Sequence, residues 1–240
     1  MNDLDQFVLL ATDSCRSRAY IDIMFNNKMR PAFAIVLKLS SLIQKSEEFI
    51  ENQFFKNDIP LEEMLSLYGI NYKTLTISDI NDSFIFQELE KLRQPYVIFS
   101  IPGYVLGKRY FQCGKKYLHI HPGKLPDYRG STPMYYSILE EKKLAASAIF
   151  LEEKIDEGPV LRTSEFDLPE DPTIIDTIYD PWVRANLLVE TLKIYCLHKK
   201  FDVESQQKDA GEVYYVIHPV MKCLAINTIM LHKNRVRGVY

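Results

Sequence analysis

Short apolar runs alternate with stretches of helical spacing through the first half of the chain. Phe7–Ala11 (FVLLA) is continuously apolar and of strand length, the pattern of a strand buried on both faces. Thr12, Asp13 and Ser14 follow as N-cap candidates, which predicts a helix through about Asn27. Ala32–Leu37, Tyr72–Ile77, Tyr96–Ile101 and Tyr117–His121 read as four further strands. Between them, residues 39–58 combine helical spacing with many charges and predict a helix or a surface excursion. Ile59-Pro60-Leu61-Glu62-Glu63 opens a short helix, and Asp82 caps another that runs to Leu92. A helix over Thr132–Glu140 is followed by Leu144–Leu151 and Val160–Phe166, an antiparallel pair that closes a sheet edge. From Thr173 the pattern becomes one long helix, Ile174–His198, and then the strand-like Val213–Ile217. Strands alternating with helices predict an α/β fold, a doubly wound and mostly parallel Rossmann-like sheet with a short C-terminal helical and β appendage. The expected division is a main domain over residues 1–172 and a tail over 173–240 that packs on the core or on a partner in a homodimer.

Composition narrows the function classes. The 240 residues are 47% hydrophobic and 25% charged, an ordinary globular balance able to bury a substantial core. Lys+Arg 29 against Asp+Glu 32 gives −3, which argues against a nucleic-acid backbone as the main partner. No run approaches a membrane-spanning length, and no basic residues precede the first apolar run, so neither a span nor a secretory leader is expected. Cys15, Cys113, Cys196 and Cys223 are widely separated and form no CxxC, the usage of reduced thiols in a cytoplasmic protein. The first βα turn, Ala11-Thr12-Asp13-Ser14-Cys15, has no GxGxxG, and no GxxxxGK[ST] occurs, which disfavours a dinucleotide or a P-loop nucleotide.

The chemistry concentrates in Leu118–Pro133 (LHIHPGKLPDYRGSTP). His119 and His121 stand at i and i+2 at the end of a strand, so both rings point to one face. Pro122, Gly123, Pro126 and Gly130 then impose an irregular loop, placed where ligands bind on such sheets, beyond the strands' carboxyl ends. A second segment, Lys154-Ile155-Asp156-Glu157-Gly158-Pro159-Val160-Leu161, puts Asp156 before a Gly-Pro turn into a strand. Asp156 suits an Asx-turn, or a carboxylate partner for an imidazole. Two histidines and a carboxylate also fit a metal-dependent amide hydrolase, so the residues alone leave both chemistries open.

Together the two segments resemble the 10-formyltetrahydrofolate-dependent formyltransferase family. That family carries Asn-x-His-Pro-Ser-Leu-Leu-Pro-x-Tyr-Arg-Gly and, later, Asp-x-Gly-Pro-Ile-Leu. His121-Pro122, Leu125-Pro126, Tyr128-Arg129-Gly130 and Pro133 match the first; Asp156, Gly158, Pro159 and Leu161 match the second. Ile101-Pro102-Gly103-Tyr104-Val105-Leu106 is similar to the family's Tyr-Gly-x-Ile-Leu cofactor loop. The resemblance covers roughly residues 5–170 and departs at one place, where the family's catalytic Asn is His119. It implies transfer of a formyl group from 10-formyltetrahydrofolate to an amine, with no metal. His121 would shuttle the proton, Asp156 would hold and polarise it or order a water, and His119 would supply the oxyanion donor in place of the amide. Gly103, Tyr104, Val105 and Leu106, with Lys154 and Ile155, are the candidates for the pterin pocket. Arg129, Arg16 and the helix start at Ser14 are candidates for a substrate phosphate or carboxylate. Within the family, the sugar N-formyltransferases are most similar. They imply a nucleotide-linked amino sugar, pseudaminic acid derivatives included, as small-molecule substrate, with no nucleic acid and no membrane. A member that has lost catalysis with its Asn remains the other alternative.

Overall fold

The computed structural model describes residues 2–39, 49–207 and 210–236. In chain order the elements are β1 (Asn2–Ala11), α1 (Cys15–Asn26), β2 (Met29–Leu39), α2 (Leu61–Leu67), β3 (Tyr72–Ile77), α3 (Ser83–Lys91), β4 (Tyr96–Phe99), α4 (Lys108–Gln112) and β5 (Lys116–His121). They continue as β6 (Tyr128–Gly130), α5 (Pro133–Glu141), β7 (Leu144–Phe150), β8 (Val160–Phe166), α6 (Asp180–His198), β9 (Glu212–Tyr214) and α7 (Pro219–Val236).

The main sheet has seven strands in the order β3-β2-β1-β4-β5-β7-β8. Strands β1 to β5 run parallel, and β7 and β8 add antiparallel at the edge, as their alternation and spacing predict. The chain winds outward from β1 to β3 and then, from β4, in the opposite direction, so the order reverses between β1 and β4. That reversal opens a crevice at the carboxyl ends of the strands. The apolar run in β1 is continuous because both faces are covered: Phe7, Leu9 and Ala11 join the cluster with α1 and α6, while Val8 and Leu10 join the cluster with α3.

Three expectations change. The excursion expected over 39–58 lies mostly outside the described residues, and its described part, 49–58, is neither helix nor strand. That part is pinned to α1 by Lys56 N–H donating to Asp22 (3.0 Å) and by Arg18 Nε donating to Asn57 Oδ1 (2.7 Å). The single helix expected over Ile174–His198 is instead a 3-10 turn (Pro172–Ile174), a wide π turn (Ile175–Tyr179) and then α6. Pro181 has no N–H for a helix interior, and α6 accommodates it in its first turn. The strand expected over Val213–Ile217 is shorter, Glu212–Tyr214, and is followed by α7, whose Ala225 and Ile229 lie in the core.

Candidate active site

Site geometry begins at β5. His119 pairs with Ile149 and His121 with Ser147 across the antiparallel ladder to β7, so both histidines occupy the carboxyl end of a central strand on one face. His121 is 2% exposed; its Nε2 lies 2.7 Å from the Tyr128 carbonyl and its Nδ1 3.3 Å from Asp156 Oδ1. Asp156 Oδ2 accepts the Gly130 N–H at 2.8 Å. The loop after β5 thus folds back on its own histidine, and the turn before β8 brings in the carboxylate. Burial alone would raise the Asp156 carboxyl, but the His121 hydrogen bond and the Gly130 N–H outweigh it and hold the group down to about 2. Asp156 is therefore an anion, and both ring nitrogens of His121 face acceptors.

His119 lies one ladder step back, 6.0 Å between ring centres from Phe99. Burial, reinforced by the nearby guanidinium groups of Arg184 and Arg16 and only partly opposed by Asp156, holds its imidazole well below the usual histidine range. The ring is neutral at physiological pH. Its Nδ1 is buried without a hydrogen-bond partner. An unpartnered lone pair costs less than an unpartnered N–H, so the tautomer assigned here carries its proton on Nε2.

The remaining sequence-predicted residues divide. Gly103 adopts φ 75, which glycine tolerates, and the chain from Pro102 to Gly107 forms neither helix nor strand. Val105 and Ile155 are 61% and 57% exposed, and the Lys108–Glu153 ion pair (3.3 Å) ties their two loops together. Leu106, expected in the pocket, is instead buried in the core cluster, with Tyr104 packed against it. Lys154 pairs with Glu157 at 3.1 Å and borders a cavity of about 460 Å³ with Phe111, Lys116 and Phe150, toward the amino end of β5.

Ser14 accepts the Ser17 N–H at 3.2 Å as the cap of α1; Ser17 Oγ reaches Ser100 Oγ (2.8 Å) at the end of β4. Its hydroxyl therefore serves the helix start at the switch point. Arg16, on the first turn of α1, lies within electrostatic reach of His119. Arg129 corrects the sequence expectation: it is 4% exposed and turned inward, its Nη2 donating to Gln206 Oε1 at 3.3 Å, so it does not present itself to a substrate anion. Its place inside β6, which pairs with β9, explains this.

Two residues escaped the sequence reading. Arg184 is buried beneath β5, donating Nε to both Asp180 oxygens (2.7 and 2.9 Å) and Nη1 to the Ile120 carbonyl (2.7 Å). An i,i+4 Asp–Arg pair in the first turns of α6 was the available signal. Gln206 had none, being one of two adjacent glutamines in a polar stretch.

No family model matches the chain. A methionyl-tRNA formyltransferase from Finegoldia magna is 29% identical over 139 residues, 56% of this chain and 44% of that protein. This chain thus spans less than half the length of that curated relative. A sugar N-formyltransferase from a Shewanella species superimposes with a TM-score of 0.58 at 13% identity, over 93% of this chain and 87% of that one. An N-formyltransferase from Helicobacter canadensis, solved with folinic acid and dTDP-3-aminofucose, gives 0.60 at 12% identity, over 96% and 82%. The chain has the formyltransferase fold. The relative found by sequence is a formyltransferase as well, and the expected α/β architecture is that of these neighbours. In a formyltransferase fold the crevice beside β4 and β5 holds the pair His121 and Asp156, with His119 one step behind.

Proposed function

We propose that the chain is an N-formyltransferase that moves the formyl group of 10-formyltetrahydrofolate to the primary amine of a nucleotide-linked amino sugar. The observation that carries this reading is the His121–Asp156 pair, closed by Gly130, beside a neutral His119 at the carboxyl end of β5. The described loops suit a pterin: Val105 and Ile155 offer exposed apolar side chains, and the irregular backbone at Gly103 leaves main-chain groups outside any ladder. When bound, the donor supplies the formyl carbon, and the net proton passes from the amine to the nitrogen that the formyl group leaves.

His119 donates Nε2–H to the formyl oxygen as negative charge develops there, a neutral donor where the family places an amide. Asp156 keeps the Nδ1 side of His121 and fixes the ring. Nε2 exchanges the Tyr128 carbonyl for the reacting amine, so His121 takes and returns the proton. Arg16 is the cation placed to meet a substrate anion near His119. A metal-hydrolase reading is disfavoured because, among the described residues, no three His, Cys, Asp or Glu side chains gather as a metal site requires, and the Tyr128 carbonyl and the Asp156 carboxylate already face the two nitrogens of His121.

An amino sugar is preferred over an aminoacylated tRNA on two grounds. The balance of 29 basic against 32 acidic residues lacks the excess that a nucleic-acid backbone attracts. The superposition also extends over most of the length of the two neighbours above, one a sugar enzyme by name and one solved with an amino-sugar nucleotide. The test is a mass measurement. The protein and 10-formyltetrahydrofolate are incubated with a panel of nucleotide-linked amino sugars, with methionyl-tRNA as a separate arm. One formyl group gained by a sugar nucleotide is expected. A gain confined to the tRNA arm would overturn the substrate class, and no gain in any arm would overturn the activity.

A further inference from the structure

The tail after α6 threads through the candidate site. Glu204 exchanges two main-chain hydrogen bonds with Val160 at the start of β8, both 2.8 Å, which fixes Gln206 two residues further on. From there the Gln206 side chain meets both halves of the site. Nε2 donates to the carbonyls of Asp156 (2.8 Å) and Gly158 (2.7 Å), and Oε1 accepts from Arg129 (3.3 Å). Arg129 in turn precedes Gly130, whose N–H holds the Asp156 carboxylate. The circuit is closed: the His121 loop holds the Asp156 side chain, Gln206 holds the Asp156 main chain, and Arg129 joins the two.

We propose that Gln206 is a positioning residue that clasps the Asp156 turn to the His121 loop and so sets the His121–Asp156 pair. The proposal rests on the reading of that pair as the proton-handling groups. Three observations carry it. A glutamine side chain has two N–H donors and one carbonyl, and here both donors and the carbonyl are used, so nothing is left for a ligand. Asp156 sits at φ 56, a left-handed conformation that costs a non-glycine residue and persists only where its surroundings hold it. Gly158 is pressed against the Phe150 carbonyl, 1.8 Å from where a Cβ would stand, so the turn is held on its other side by β7. No other side chain replaces this amide: glutamate lacks the donors, and asparagine is one methylene short of spanning both carbonyls.

The experiment reads His121 directly and needs no substrate. In 15N-histidine-labelled protein, the ring nitrogen signals of His121 are assigned by their loss in His121→Asn. Gln206→Leu is expected to change the Nδ1 signal that reports the Asp156 contact, while the other histidine signals keep their positions. Unchanged His121 signals would overturn the proposal whether or not formyl transfer is ever seen. Given activity, Gln206→Leu and Gln206→Glu should each lower kcat on the order of 10-fold or more with little change in KM, as small misplacements do. In an Asp156→Asn background the same substitutions should have no further effect. An equal loss in both backgrounds would mean that Gln206 only supports the fold, and a wild-type kcat in Gln206→Glu would show that the Arg129 contact alone suffices. Should Gln206→Leu fail to fold, Gln206→Asn carries the same readouts.

Discussion

His119 stands where the motif of the formyltransferases that this chain resembles carries an amide, and its surroundings explain how an imidazole is tolerated. Burial and the guanidinium groups of Arg184 and Arg16 keep the ring uncharged, so it presents a neutral N–H as an amide does. His119→Asn should therefore keep measurable formyl transfer, whereas His119→Ala should lose on the order of 10²-fold in kcat, as removals of an oxyanion donor do. Steady-state kinetics of the two variants checks this, and equal activities would place the oxyanion elsewhere. The same burial has a consequence for stability. A histidine whose folded pKa is depressed takes up its proton on unfolding, so stability falls as pH drops below about 6.5, by at most about 1.4 kcal/mol per pH unit. Urea unfolding at pH 7 and pH 5.5 should show this slope in the wild type and a shallower one in His119→Asn; parallel slopes would contradict the burial argument. Asp156 acts in the opposite range. Its folded pKa of about 2 lies below that of the unfolded chain, so its contribution is complete above about pH 4 and is lost as pH falls toward 2.

At the scale of elements, α6 supports β5 through a buried ion pair. Arg184→Met would leave Asp180 buried without its cation and the Ile120 carbonyl without its donor. A loss of about 3–5 kcal/mol in urea unfolding is expected, as when one partner of a buried pair is removed. A loss within about 0.5 kcal/mol, as for a surface substitution, would show that solvent reaches the pair. This contribution was hard to read in the sequence because the helical pattern from 174 ran across Pro181 and merged three turn types into one helix. By contrast β1, β2 and β4 were legible as continuous apolar runs of strand length, whereas the edge strand β3, mostly exposed or half-buried, was legible through its β-branched and aromatic residues. The same legibility held for β7 and β8, whose spacing alone implied an antiparallel return. His119, His121 and Asp156 were legible because strand periodicity and a Gly-Pro turn fix where they fall. Leu106 and Arg129 were not, for a motif gives a residue's place along the chain but not whether its side chain turns inward. Short β6 went unseen because it has three residues and pairs only with β9, from a distant part of the chain, while β9 was expected to run on to Ile217.

Over the whole molecule, a crevice formed by strand order is completed by a chain segment from far away in sequence. The sheet places His119 and His121 through β5, the turn before β8 supplies Asp156, and the tail closes over both through β9 and Gln206. The Gly130 position shows how tightly they fit: a Cβ there would stand 2.2 Å from the Tyr214 carbonyl, at φ 89. Catalysis by the His121–Asp156 pair is the claim on which the rest depends. It is tested most directly by single-turnover transfer of isotope-labelled formyl from 10-formyltetrahydrofolate to the amino-sugar acceptor, in the wild type and in His121→Asn, with folinic acid titrated into both proteins. The account predicts label in the acceptor's amide with the wild type, a loss on the order of 10²-fold or more with His121→Asn, and folinic acid binding retained by both. Transfer by His121→Asn at the wild-type rate would contradict it.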